Sequence, residues 1–268
     1  MVTQSKTKNT SIPIPSSDEL AEAGAHLGHF KNKCLPKMRP FICALRNNIH
    51  FIDLDQTVDK LQEAVNFIIE QISSGSNILF LGTKPIAKDI VEKYAKKAGS
   101  PYINQRWLGG TLTNFSTISK LIEKFNKMSE ESESDAWQKY TKKERLDLSR
   151  ELKKLETMVG GIRSLRKKPD LVYIIDVIHE KTALLEAIKC KVPVIAIIDT
   201  NANPELVDYP IPANDDAIKS VEMITKLISE AITVGQKERK DEVKSEVKEE
   251  KKGEVKSEVK EEKKIIKK

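Results

Sequence analysis

The residues with the clearest capacity for chemistry are two histidines, a cysteine and a polar pair that follows an apolar segment. His26, His29 and Cys34 are of the types that bind zinc, but their spacing lacks the second close pair that completes a tetrahedral site. Asp199 and Asn201 directly follow an apolar run, the position where open α/β sheets bind ligands. The sequence therefore leaves open a nucleotide- or sugar-binding α/β enzyme that uses an acidic rim at Asp199, and it predicts no metal site.

The glycine motifs of phosphate-binding enzymes are missing from the sequence. Residues 82–85 (GTKP) fall at a strand-to-helix turn but match neither GxGxxG nor GxxxxGK, and His179 has no nucleophile elbow nearby. Asp199 also has a second interpretation, as a turn or helix-capping residue. Because no complete catalytic set emerges, we predict no catalytic residue, no cofactor and no enzymatic activity.

Two segments concentrate positive charge without any acidic residue of their own, residues 30–48 and residues 163–168. Such cations repel one another unless a polyanion lies alongside, so both segments indicate a nucleic-acid contact. The alternative for each is a solvated surface screened by salt. The basic residues concerned are Lys31, Lys33, Lys37, Arg39 and Arg46 in the first segment, and Arg163, Arg166, Lys167 and Lys168 in the second.

Residues 104–115 (NQRWLGGTLTNF) have the composition of a contact site. Arg106 offers a planar guanidinium for phosphate, and the adjacent Trp107 offers a flat surface for stacking. The alternative is that Trp107 and Leu108 fill a core while the two glycines end a strand and Thr111 or Thr113 caps the next helix. The segment by itself favours the second interpretation.

Composition limits the class of protein and its compartment. The net charge is +6, and residues 237–268 supply half of it, with 13 Lys and Arg against 10 Asp and Glu. Three cysteines without a CxxC pair indicate a reducing compartment. No apolar run approaches the roughly 20 residues of a membrane span, and no secretory signal is present. We therefore expect a cytoplasmic protein that has no membrane contact.

Short apolar runs alternate with segments of helical periodicity along most of the chain. The runs at residues 77–81, 171–175 and 194–198 are apolar throughout, which is typical of strands buried on both faces of a parallel sheet. Residues 114–162 break the alternation, because their apolar residues step by three and four as in heptad repeats. We predict an α/β domain with a mainly parallel sheet and an inserted coiled-coil hairpin.

The predicted organisation has four parts. Residues 1–15 form a flexible leader, residues 16–113 and 163–236 the α/β globular domain, and residues 114–162 the hairpin. Residues 237–268 contain an 11-residue word, EVKSEVKEEKK, twice at a spacing of 12 residues. This low-complexity Lys/Glu tail favours disorder, and a solvated helix held by charge pairs is the alternative.

Several sequence words occur in the order found in one known family. They are residues 23–29 (AGAHLGH), 36–42 (PKMRPFI), 106–114 (RWLGGTLTN), 169–172 (PDLV), 192–201 (VPVIAIIDTN) and 211–217 (IPANDDA). Together they resemble the bacterial-type small-subunit ribosomal protein two family over about residues 20–234. The leader, the hairpin tip near residues 130–140 and the repeated tail depart from the family pattern.

The resemblance implies a Rossmann-like or flavodoxin-like sheet with no enzymatic task, in a structural protein of the small ribosomal subunit. It implies binding to small-subunit rRNA between head and body, and contacts with neighbouring ribosomal proteins, including one that recruits mRNA. It adds Arg106, Trp107, Thr111 and Asn114 to the basic residues above as rRNA-binding candidates. No homo-oligomer is expected.

Overall fold

The protein is described by a computed structural model that covers residues 12–265, with side chains described except at residues 135–136 and 242–265. Its elements follow in the order α1 (Ser17–Glu22), β1 (Leu27–Phe30), β2 (Ile42–Arg46), β3 (Ile49–Ile52), α2 (Leu54–Ser73), β4 (Ile78–Leu81), α3 (Lys88–Ala98), β5 (Tyr102–Ile103), α4 (Phe115–Glu133), α5 (Lys142–Val159), β6 (Leu171–Ile174), α6 (Lys181–Cys190), β7 (Val194–Ile198), β8 (Tyr209–Pro212) and α7 (Ile218–Ile265). Short 3₁₀ turns lie between several of them, one of them at Gly160–Ile162.

Five strands form a parallel sheet in the order β5-β4-β6-β7-β8. Successive strand residues belong to two different cores: Phe80 and Tyr173 pack with α2, α3 and α7, whereas Leu79 and Val172 pack with α4, α5 and α6. Because the sheet is covered on both faces, each of its central strands must be apolar throughout. The predicted α/β fold with a mainly parallel sheet flanked by helices is confirmed.

A second sheet of three antiparallel strands, in the order β1-β3-β2, was not predicted. Strand β2 lies inside residues 30–48, which the sequence describes only as a basic loop. Asn47 and Asn48 connect β2 to β3 with positive φ angles of 50° and 62°, as a tight hairpin turn requires. The prolines and cations of this segment give no alternating strand pattern in the sequence. The segment forms a strand because it pairs with β3.

Two helix starts follow directly from capping residues. The Ser16 side chain accepts a hydrogen bond from the Glu19 N–H, and Thr141 does the same for Glu144, so each of these helices begins with a capping box. Helix α1 ends at Glu22. Gly24 has a φ of 80°, a left-handed conformation in which the helix cannot continue.

The inserted helices α4 and α5 pack against each other and against the sheet. Ile118, Ile122 and Phe125 of α4 are buried in the same core as Leu155 and Val159 of α5. The two predicted helices are therefore present, and their stripes are apolar because each faces the other helix and the sheet. That they supercoil as a coiled coil stays a prediction.

The structure describes the last residues of the predicted leader and most of the predicted tail. Ile12 is buried in the core and Ile14 packs against it, so this part of the predicted leader is anchored, while residues 1–11 lie outside the described residues. Helix α7 extends to Ile265 through the repeat, and the disorder expected of the Lys/Glu tail stays a prediction.

None of the helices in residues 12–265 combines the length and the apolar character that crossing a membrane requires.

Candidate nucleic-acid interface

The first basic segment lies beside the carboxyl-terminal ends of the parallel strands. Its backbone is fixed there because the Leu35 N–H donates to the carbonyl of Thr200, just after β7, across 2.8 Å. Its basic side chains are all exposed. Lys37 forms an ion pair with Glu205, and the guanidinium of Arg46 lies 5.9 Å from the centre of the Phe51 ring. The structure therefore presents the predicted cations of this segment to solvent.

The second basic segment leads into β6, so it lies beside the amino-terminal ends of the parallel strands. Lys167 pairs with Asp170 at 2.9 Å, and the Asp170 carboxylate accepts the N–H of Asn77 just before β4. The side chains of Arg163, Arg166 and Lys168 are exposed. The two basic segments are thus separated by at least the length of a four-residue strand, about 13 Å. They do not form one continuous patch at one end of the strands.

The loop between β5 and α4 divides the remaining candidates into exposed and buried residues. Arg106 and Asn114 are exposed, whereas Trp107 is only 8% exposed and Thr111 is fully buried. The Thr111 hydroxyl donates to the Leu108 carbonyl at 2.6 Å. Trp107 packs in the core, as the second interpretation of this segment requires, because its large apolar ring fills the space beside the hairpin helices. Trp107 as a stacking surface and Thr111 as an RNA contact are therefore corrected: this structure keeps both inside the fold.

One carboxylate that sequence reasoning missed holds this loop in place. Glu186 of α6 accepts hydrogen bonds from the Trp107 indole at 3.1 Å, from the Gly110 N–H at 2.8 Å and from the Leu112 N–H at 3.1 Å. The backbone and hydroxyl of Thr113 also donate to it, at 3.3 and 3.2 Å. A lone glutamate on an amphipathic helix gives no sequence signal of this role, since its partners lie more than 70 residues earlier in the chain.

The hydrogen bonds to Glu186 stabilise its ionised form. Partial burial raises the pKa of Glu186, but the donors from Gly110, Trp107, Leu112 and Thr113 lower it more, and the pKa lies below the ordinary value for glutamate. A charged acceptor shared by several N–H groups fixes the backbone of the loop. Glu186 therefore anchors the loop that carries the exposed side chains of Arg106 and Asn114.

The acidic rim around Asp199 forms a network of internal ion pairs. Nδ1 of His29 lies 3.0 Å from Asp199, and Nε2 lies 3.7 Å from Asp216. The ammonium of Lys84 contacts Asp176 at 3.2 Å, Asp215 at 2.9 Å and Asp216 at 2.6 Å. His29 and Lys84 lie between the carboxylates and pair with them. These ion pairs connect the segments that follow neighbouring strands of the sheet.

Burial and charge shift the pKa values of this network. Burial, together with the charge of Asp176, raises the pKa of Asp215 from 3.8 to about 7. The hydrogen bond with Asp199 raises the pKa of His29 above its ordinary value, against the effect of partial burial. Burial lowers the pKa of Lys84, but its bonds to Asp216 and Asp215 outweigh this and raise it above the ordinary value. The clustered carboxylates therefore favour the protonated form of Asp215 up to a higher pH than is usual for an aspartate.

The three residues considered as zinc ligands have separate roles. His29 belongs to the ion-pair network, the His26 ring stacks on Phe51 with centroids 5.5 Å apart, and the Cys34 thiol donates to the Leu35 carbonyl. Within the described residues, no group of three or more His, Cys, Asp or Glu is arranged to hold a metal ion.

The architecture defines a class of protein: a Rossmann-like α/β domain with an inserted helical pair. Within that class, the chain belongs to the ribosomal protein S2 family, whose model matches residues 20–235. It is 46% identical over 231 residues to small ribosomal subunit protein uS2 of a Nitratiruptor species, with 86% of each chain covered. Over 231 residues it is also 46% identical to the uS2 protein of Dictyoglomus thermophilum, covering 86% of this chain and 94% of that one.

The uS2 protein of Helicobacter hepaticus gives a similar result, with 46% identity over 224 residues, 84% of this chain and 85% of that one. Membership of the family makes the chain a structural component of the small ribosomal subunit rather than an enzyme. The alternative of an enzyme at the Asp199 rim is thereby set aside.

Proposed function

We propose that the chain binds small-subunit rRNA through two separate basic surfaces and an exposed loop between β5 and α4. The residues are Lys31, Lys33, Lys37, Arg39, Arg46, Arg106, Asn114, Arg163, Arg166, Lys167 and Lys168. Trp107 and Thr111 contribute indirectly, because they shape the loop from inside the core. Two surfaces at opposite ends of the parallel strands suit a protein that bridges separate parts of a folded RNA.

The observation on which this proposal rests is the number of exposed cations that have no acidic partner. Among the described residues, no ion pair involves Lys31, Lys33, Arg39, Arg46, Arg106, Arg163, Arg166 or Lys168. Cations without partners can neutralise phosphates and release counterions without first breaking an internal salt bridge. Lys37 and Lys167 contribute less, because each must exchange its own carboxylate for phosphate.

We further propose that the chain belongs to a bacterial-type ribosome in the cytoplasm. There it also contacts neighbouring small-subunit proteins, including one that recruits mRNA. Large apolar side chains on the three-stranded sheet support a protein contact there: Leu27, Phe30 and Leu45 are 39%, 61% and 44% exposed. Protein interfaces cover such side chains at their centres. Phe30 and Leu45 belong to the first basic segment, so the proposed protein contact adjoins one of the two rRNA surfaces.

The test uses charge reversal in the full-length protein. A variant with Arg39→Glu, Arg46→Glu, Arg166→Glu and Lys168→Glu should no longer associate with small subunits at moderate salt. Its salt dependence should also become shallower, by about one unit of slope for each phosphate that it fails to neutralise. Lys189→Glu on α6, exposed and outside both surfaces, is the matched control. Equal association by the fourfold variant and the control, at unchanged melting temperature, would contradict the proposal.

A further inference from the structure

A cleft of about 610 Å³ lies between α3, the edge strand β5 and the end of α5. Its lining residues include Lys96, Tyr102 and Asn104 from α3 and the segment at β5, and Lys153, Thr157 and Arg163 from α5 and the turn that follows it. Its volume is within the range of about 300–1,000 Å³ found for small-molecule and cofactor sites. Of these residues, only Arg163 was a candidate from the sequence.

The charge balance of the cleft favours an anion. Its two carboxylates are Glu92 and Glu156. Glu92 is paired with Lys96 at 2.6 Å and accepts a hydrogen bond from the Asn104 amide at 3.0 Å. Lys153 and Arg163 are exposed and have no ion pair among the described residues. Lys153 and Arg163 therefore line the cleft as two cations without ion pairs, together with one carboxylate, Glu156, that has no ion pair among the described residues.

The Tyr102 ring lines the cleft and is held by an unusually close backbone contact. At Gly161 a Cβ would lie 2.3 Å from the Tyr102 carbonyl oxygen and 2.9 Å from its ring, so only glycine fits there. The Nζ of Lys96 lies 6.0 Å from the centre of the Tyr102 ring. The ring is half-buried, and the contact with Gly161 fixes it at the cleft's edge.

The position of Arg163 is fixed in a similar way. The side-chain amide of Asn126 on α4 donates to the Arg163 carbonyl at 3.4 Å, which ties the start of the second basic segment to the hairpin helices. The cleft thus continues the exposed cations at residues 163–168 toward the base of α5.

We propose that this cleft binds one unpaired nucleotide of the rRNA, with its base against Tyr102 and its phosphate between Lys153 and Arg163. The inference rests on the proposed rRNA binding and adds a site to it. An aromatic ring beside free cations and hydroxyl groups is the combination by which proteins hold single-stranded nucleic acid. A protein side chain fits less well, because the walls of the cleft are mostly polar and charged.

A pair of neighbouring lysines on α5 provides the first test. Lys153 lines the cleft, whereas Lys154 is equally exposed but one residue further round the helix and outside it. In small subunits reconstituted with full-length protein, Lys153→Glu should weaken rRNA binding roughly tenfold and Lys154→Glu less than about twofold. Equal effects of the two changes would overturn the proposal.

The second test identifies the occupant directly. A photoreactive amino acid in place of Thr157, inside the cleft, should crosslink to one unpaired rRNA nucleotide in assembled subunits. Tyr102→Phe should preserve that crosslink, and Tyr102→Leu should reduce it severalfold, because only the aromatic variant keeps a stacking face. A crosslink to a ribosomal protein or to a base-paired nucleotide would overturn the site.

These outcomes separate the cleft from the general proposal. If Arg166→Glu with Lys168→Glu lowers association while Lys153→Glu and the Tyr102 variants change nothing, the cleft is wrong and the basic surface at residues 163–168 stands. If none of the reversals lowers association, both proposals are wrong.

Discussion

The indole N–H of Trp107 donates to Oε1 of Glu186 across 3.1 Å, and this bond joins the loop before α4 to helix α6 on the same side of the sheet. The same carboxylate holds three backbone N–H groups of the loop, those of Gly110, Leu112 and Thr113. The loop that presents Arg106 is therefore organised by a residue 80 positions later in the chain.

Replacing Glu186 with glutamine should loosen this loop. Glutamine keeps one acceptor but loses the charge and directs N–H groups toward N–H donors, so we expect a loss of about 2 kcal/mol in the free energy of unfolding. Urea denaturation measures it. Glu230→Gln on α7, whose partner Lys97 lies 3.8 Å away at the surface, should change stability by less than about 0.5 kcal/mol. Similar losses for the two variants would show that Glu186 has no special role.

Substitution of Trp107 should affect stability rather than RNA affinity. Trp107→Ala removes a buried ring and should cost about 3–5 kcal/mol, and Trp107→Phe should cost less because it keeps most of the apolar volume. The folded fraction of Trp107→Phe should bind rRNA within about twofold of the unchanged protein. A large fall in affinity at nearly unchanged stability would instead restore the stacking role that the sequence suggested.

The pKa of Asp215 predicts a specific pH dependence. Between the ordinary pKa of 3.8 and the folded value of about 7, the folded protein retains a proton that the unfolded chain has released. The free energy of unfolding should therefore decrease as pH rises through this window, by at most about 1.4 kcal/mol per pH unit for one proton.

The raised pKa of His29 acts in the same direction, with its contribution lost as pH rises through the folded pKa of the imidazole. Asp215→Asn is neutral in both states and should flatten the decrease between pH 4 and 7, which denaturation at several pH values will show. Asp147→Asn on the exposed face of α5 is the control and should follow the unchanged protein. An unaltered slope in Asp215→Asn would contradict the assignment.

Two adjacent glycines should respond very differently to alanine. A Cβ at Gly161 would collide with the Tyr102 carbonyl, whereas the nearest atom to a Cβ at Gly160 is 3.4 Å away. Gly161→Ala should cost about 2 kcal/mol or more, because either β5 or the turn at residues 160–162 must move. Gly160 has helical φ and ψ angles of −55° and −40°, so Gly160→Ala should be neutral or slightly stabilising. Thermal unfolding of the two variants tests this, and equal melting temperatures would contradict the close contact.

The sequence by itself determined the parts of the fold that depend on local pattern. Apolar runs such as residues 171–175 and 194–198 specify central parallel strands, since a strand buried on both faces cannot alternate with polar residues. Ser16 and Thr141 mark helix starts because capping needs only residues within one turn. The order of short sequence words pointed to the family.

Other elements depend on partners that are distant in the chain, and local pattern does not reveal them. Strand β8 contains Pro210 and Pro212 and is possible because it lies at the edge of the sheet, where half of its backbone needs no partner. Strand β2 forms because β3 pairs with it.

Tertiary structure alone decided which candidate residues face solvent. Arg106 and Trp107 are adjacent in sequence, yet one is exposed and the other is buried against the hairpin helices and bonded to Glu186. The two basic segments look alike in composition, but the direction of the parallel strands places them at opposite ends of these strands. Exposure and separation are set by the packing of distant elements, because burial of a side chain depends on what covers it and not on its neighbours in the chain.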